Sequence, residues 1–225
     1  MADQSPTPRT KLTRAPDRGH HDRETIDAIL DAGLLCHVAY VLDGAPVVTP
    51  TLYWRHENRV YWHGSSASRM LRKSAGTDVC LTVSHLDGIV LARSGFHSSI
   101  NYRSVMLFGT AEQVPDEDAP AVLDHFIEHL APGRLETLRP PTTQELKATT
   151  ILSMQIEEAS AKVRTGPPGD DEEDYALPTW AGVIPVTTTL GDPIPDPRLP
   201  ETTPVPPNVT ALYQTPWARS QDAED

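Results

Sequence analysis

The run His63-Gly64-Ser65-Ser66-Ala67-Ser68-Arg69 carries the residue types of an anion site. Small residues let backbone N–H groups approach a ligand, and serine hydroxyls add donors. Arg69 offers a forked guanidinium suited to a pair of phosphate oxygens. The run lies between a strand-like segment ending at His63 and a helical stretch, Met70–Ser74, whose N-terminus would add its positive end. The same residues read equally as an ordinary Ser-capped helix with a surface arginine. A second polar group, Ser98, Ser99, Asn101, Tyr102, Arg103 and Ser104, feeds a long strand. It reads as a second wall of such a site or as a strand start with a solvated Arg. Its interest lies in pairing with Arg69, because a flavin or nucleotide phosphate carries about two charges.

Other chemistries find no pattern. Nine histidines are present, yet none shows His-Glu-x-x-His spacing and no Cys-x-x-Cys accompanies them, so no metal site is expected. Gly-x-Ser-x-Gly, Gly-x-Gly-x-x-Gly and the P-loop pattern are absent, which removes the common hydrolase, dinucleotide and P-loop readings. Cys36 and Cys80 sit singly in alternating apolar runs and read as buried free thiols.

The elements that must position these residues are mostly strands. A first helix is expected over Asp22 to Ala32, with Asp22 as N-cap and Gly33 as a left-handed C-cap. Then come Leu35–Leu42, Val47–Trp54 and Arg59–His63, separated by Asp43-Gly44 and Glu57-Asn58. Val79–His85 and Ile89–Arg93 repeat the arrangement around Asp87-Gly88, and Tyr102–Val114 is a further strand interrupted near Gly109. About six strands joined by tight turns predict an antiparallel sheet or barrel. Asp118–Leu130 is an apolar-faced helix, Thr142 and Glu145 have capping-box spacing, and Ile151–Glu157 with Ala161–Arg164 form a last strand or pair.

Composition divides the chain. Of 22 prolines in 225 residues, twelve lie from Pro167 onward, which separates a foldable body from a proline-rich tail. The expected units are a flexible segment 1–18, a barrel domain 19–165, an acidic hinge with a Trp180 anchor over 166–190, and an extended or disordered arm 191–225. A net charge of −12 argues against nucleic-acid binding and against a basic membrane-surface face. No apolar run reaches the length of a membrane span, and residues 1–18 lack the apolar core of a secretory signal, so a cytoplasmic location is expected.

Several segments together resemble the flavin-nucleotide-binding branch of the pyridoxamine 5′-phosphate oxidase-like proteins, relatives of the nitroimidazole-resistance reductases. They are Cys36–Ala39, Pro50–Tyr53, His63–Met70, Leu86–Ser94, Phe96–Val105, Pro132–Arg134, Glu157–Arg164 and Trp180–Gly182, in order from about Arg14 to Pro185. The resemblance implies a mainly β, six-stranded split β-barrel with peripheral helices, a homodimer, and one FMN in each inter-subunit groove. By motif it places Ser68 and Arg69 on the flavin phosphate with Arg103 and Ser104. It places Gly64, Ser65, Asn101 and Tyr102 beside the cofactor, and Pro50, Thr51 and Tyr53 along the groove. It also brings His63 close to the flavin as the candidate catalytic residue, Lys162 to the end of the last strand, and Trp180 over the ring. Many split barrels carry Lys where Met70 stands, which shifts phosphate charge onto Arg69 and Arg103. The implied function is an FMN-dependent oxidoreductase acting on a small molecule, with NAD(P)H as a possible reductant. The alternatives are a flavin carrier, a haem-handling barrel with His63 or His97 as ligand, and a deazaflavin cofactor. A chain cut after Gly191 is expected to keep its flavin.

Overall fold

The computed structural model describes residues 6–200 and 202–218. Among them are ten strands: β1 Gly19–His20, β2 Leu35–Leu42, β3 Ala45–His56, β4 Arg59–Ser65, β5 Asp78–Leu91, β6 Ser99–Thr110, β7 Glu112–Gln113, β8 Thr149–Gln155, β9 Glu158–Arg164 and β10 Gly182–Pro185. The helices are α1 Arg23–Asp31, α2 Arg69–Ser74, α3 Ala119–Leu130, α4 Thr143–Lys147 and α5 Pro207–Thr210. Every strand pairing is antiparallel, in the order β1-β9-β6-β5-β2-β3-β4-β8-β7 with β10 added to β5, and the sheet does not close on itself.

Local chemistry accounts for most of these elements. Asp43 and Gly44 take φ 51° and 80°, the left-handed pair that a tight hairpin between β2 and β3 demands. Asp22 caps α1, its carboxylate accepting from the Thr25 amide at 2.8 Å. Both halves of the capping box at Thr142 and Glu145 are present.

Three expectations are corrected. Asp87-Gly88 is not a hairpin. Leu86 faces Tyr102 and Gly88 faces Asn101, so Asp87 is an extra residue in a continuous 14-residue strand. Pairing with β6 continues on both sides of Asp87, and the reversal comes after Leu91 instead. The six strands and last pair therefore become seven long strands. The break after β6 falls at Ala111, not Gly109, whose bare Cα lets Met154 pack close. Helix α1 ends at Ala32, and Gly33 is not left-handed; it lacks a side chain because a Cβ there would lie 2.8 Å from the His85 ring.

The main core fills the space between α1 and the inner sheet face, with Ile26, Leu30, Tyr53, Trp62, Leu81 and Leu107 at its centre. A smaller cluster of Trp54, Val114 and Ile151 is roofed by Val122, Leu123 and Phe126 of α3. Among its polar supports, the buried Arg23 guanidinium donates to Asp27 at 2.8 and 3.1 Å and to the Ile156 carbonyl at 3.0 Å.

The proline-rich tail is not one loose end. Strand β10 pairs along β5 from Leu91 to Gly88. Every described residue of 187–205 is then exposed, and five prolines stiffen that stretch. Beyond it the expected extended arm folds into α5 and two short 3-10 turns, Ala211–Gln214 and Pro216–Ala218. Asn208 donates to the Gly133 carbonyl, Trp217 donates through Nε1 to the His129 carbonyl, both at 3.3 Å, and Thr215 is buried.

Candidate functional site

The residues named by sequence fall into two groups. The first surrounds the place where β3 changes partner. Up to Leu52 it pairs with β2, and from Tyr53 it pairs with β4. Meanwhile β4 runs on beside β8, Gly64 opposite Thr150 and Ser65 opposite Thr149. The two strands part there, with exposed Pro50 and half-buried Thr51 on one side and His63, Gly64 and Ser65 on the other. The chain then turns into α2, the Ser68 amide donating to the Ser65 carbonyl at 2.8 Å. Ser68 makes no side-chain cap, and α2 has only six residues, so charge here rests on Arg69. Arg69 is exposed and has no hydrogen bond or ion pair among the described residues.

Tyr53 does not belong to that wall. It is fully buried in the main core, its hydroxyl donating to the Leu30 carbonyl, because strand alternation turns it inward. His63 turns to the opposite side, under α3. Its ring lies 5.7 Å from that of Trp54 and 4.9 Å from that of Phe126, and its buried Nδ1 has no partner.

The second group lies on β6 and β9, with β5 and β2 between it and β3. Three strand spacings set the groups about 14 Å apart. Ser104 donates to the Lys162 carbonyl at 3.4 Å, and half-buried Tyr102 faces Arg164 across the ladder. Asn101 is buried and satisfied by the Gly166 carbonyl and by Arg164. Arg103 is held by Asp87 through Nε at 3.0 Å and Nη2 at 2.9 Å, so its charge is already matched inside the chain. Trp180 is 64% exposed and lies over Gly182 rather than over either group.

Asn101 and Arg103 line a cavity of about 510 Å³ together with His85, Asp87, Val183 and Trp217. Sequence reasoning missed three of these. Asp87 carried a turn signal, His85 sat in an alternating run, and Trp217 lay in a tail with no periodicity. His85 contacts the Ile29 carbonyl through Nε2 at 3.0 Å, across the gap that Gly33 leaves. Burial pushes the Cys36 thiol up to about 12 and raises Cys80 as well, so neither is a nucleophile at neutral pH. Among the described residues no group of three or more His, Cys, Asp or Glu is placed to hold a metal ion. No helix among them is long and apolar enough to cross a membrane.

Burial holds His56, His63, His85 and His129 below the ordinary histidine pKa, and at His56 the stacked His125 ring 3.7 Å away adds to it. Below about pH 6.5 the unfolded chain takes up protons that the folded chain refuses. Stability is therefore full above that pH and falls as the pH drops toward 5. Thermal melts should show Tm lower by on the order of 5 °C at pH 5.5 than at pH 7.5. A flat profile would mean that these rings are solvated.

Comparison with known proteins follows this geometry. Residues 22–163 match the family described as pyridoxamine 5′-phosphate oxidase. The flavocytochrome Anf3 from Azotobacter vinelandii is 48% identical, covering 92% of this chain and 97% of its own, with a TM-score of 0.88. The FAD and haem binding protein from Mycobacterium smegmatis is 40% identical over 87% of this chain and 97% of its own, with a TM-score of 0.85. No curated protein gives a significant match. With more than half of its length matched and two solved relatives aligned along most of it, the chain belongs to the pyridoxamine 5′-phosphate oxidase family and has its split-barrel fold.

Proposed function

We propose that this protein is a flavin- and haem-binding oxidoreductase that carries FAD rather than FMN. The observation that carries this reading is the pair of relatives at 48% and 40% identity, one a flavocytochrome and the other an FAD and haem binding protein.

The residues present fit both groups. The parting of β3 and β4 offers an exposed backbone edge at Pro50 and Thr51. Beside it Arg69 is a cation with no partner among the described residues, suited with Ser68 to a flavin phosphate. Among the described residues His63 and His129 each have a buried ring nitrogen without a partner, and of the two His63 is walled by Trp54 and Phe126. His97 is drawn to Asp171 at 3.3 Å and His85 to the Ile29 carbonyl, so His63, with its aromatic walls, is the histidine that would hold haem iron. When bound, the flavin supplies hydride and electron transfer and the haem supplies one-electron exchange. Arg69 and Ser68 anchor, the backbone at Pro50 and Thr51 orients, and the aromatic rings around His63 exclude water. The reductant we assign is NAD(P)H and the electron acceptor a small molecule.

A homodimer in the cytoplasm completes the reading. The outward face of β2, β3, β5, β6 and β10 carries Leu35, Val41, Val48, Ile89, Ile100 and Ile184, each at least 40% exposed. So broad an apolar face suits a second copy of the chain.

The test is the purified protein itself. Its spectrum should show oxidised flavin with a Soret band, and mass spectrometry of the extracted cofactor should give FAD. His63→Ala should lose the Soret band and keep the flavin. NADPH or NADH should reduce the bound flavin anaerobically and turn over when an acceptor is added; a carrier would do neither. Protein holding only FMN, or no flavin, would overturn the reading.

A further inference from the structure

We propose that the cavity at the end of the barrel receives the adenine of FAD, with Trp217 as its stacking wall. On this view the C-terminal arm gives the protein its preference for FAD over FMN. The proposal rests on the flavin reading above and deepens it.

Charge is the first argument. Asp87 already takes Arg103 through Nε and Nη2, so the cavity offers no net positive charge to a phosphate. Its natural guest is an uncharged polar ring, and the anionic diphosphate in the middle of the cofactor is left to Arg69. The hydrogen-bonding edge is the second. Arg103 Nη1 is buried without an acceptor, and the Asp87 carboxylate stands next to it. A donor beside an acceptor complements adenine, whose N6–H donates while N7 or N1 accepts. Asn101 cannot serve that edge, because both ends of its amide are engaged.

The wall is the third argument. Trp217 is brought to the cavity by the folded end of the arm, held by its own Nε1–H on the His129 carbonyl and by buried Thr215. A base stacked on an aromatic ring needs no charge and binds through its π-face. At about 510 Å³ the cavity lies in the range that takes small organic ligands. Finally, the match to the family at large ends at residue 163, and Trp217 lies beyond it. What FAD has beyond FMN is its AMP half, and what this chain has beyond that shared stretch includes the arm.

The experiment titrates flavin-stripped protein with FAD and with FMN, following flavin fluorescence. Wild type should prefer FAD. Trp217→Ala should weaken FAD binding about tenfold or more and leave FMN unchanged, while Trp217→Phe should keep most of the preference. Arg69→Ala should weaken both flavins together. Without any substitution, millimolar AMP should displace FAD from wild type and leave FMN bound. An unchanged FAD-to-FMN ratio in Trp217→Ala, or AMP that leaves FAD in place, overturns the proposal. Wild-type protein that binds neither flavin overturns the flavin reading itself, and the proposal with it.

Discussion

Asp87→Ala should lower the free energy of unfolding by about 2–4 kcal/mol, measured by urea denaturation. Arg103 is 12% exposed and relies on Asp87 for two of its nitrogens, with a third already buried unpaired. Removing the carboxylate leaves a guanidinium in the cavity wall with nothing to neutralise it. Breaking a buried pair costs about 3–5 kcal/mol; Asp87, at 28% exposed, keeps some water, which places this pair toward the lower end. The matching control removes the charge as well. Arg103→Met combined with Asp87→Leu should recover most of the loss, because two apolar side chains need no partner. A single-variant loss below about 0.5 kcal/mol would show the pair to be solvated, as surface pairs are.

Trp62→Ala should cost more, about 3–5 kcal/mol, a large part of the 5–15 kcal/mol that holds a typical domain folded. Trp62 is fully buried, faces Tyr53 on one side of its ladder and Leu152 on the other, and sits in the middle of the main core. Its loss leaves a cavity that two flanking strands cannot collapse into. Trp62→Phe separates packing from polarity. The indole Nε1 is buried without an acceptor, so removing that N–H offsets part of the lost volume and the change should stay within about 1 kcal/mol. Equal losses in the two variants would mean that the ring does not pack as described.

What the sequence made legible was set by how local each signal is. Asp43-Gly44 and the Asp22 cap depend on a few neighbouring residues, and both stand as expected. Asp87-Gly88 presents the same dipeptide between the same kinds of runs. Its conformation is decided by which strand lies alongside, and that information is not local. The site divides in the same way. Arg69 is free of partners among the described residues, as an anion site would want, because it opens the short helix α2 on the surface. The sequence marks Arg103 as a cation, but its partner Asp87 is 16 residues away and joined only through the β5–β6 register. Trp217 was invisible because proline content marks a segment as non-repetitive without saying whether its end docks. Trp180, the expected anchor that the resemblance sets over the ring, is instead largely exposed.

The extra residue in β5 acts as a phase shifter. Before it, even-numbered residues such as Ser84 and Leu86 face outward; after it, odd-numbered Ile89 and Leu91 do. The insertion places a carboxylate against Arg103 inside, while the apolar stripe continues undisturbed outside. Deleting Asp87 would restore simple alternation with Val90 still inward and Ile89 and Leu91 still outward, because Gly88 would follow Leu86 in the register it already holds, and it would remove the cavity's carboxylate. The cavity and the outer face are thus separable in inheritance: the bulge can be lost, and the carboxylate with it, without disturbing the apolar stripe.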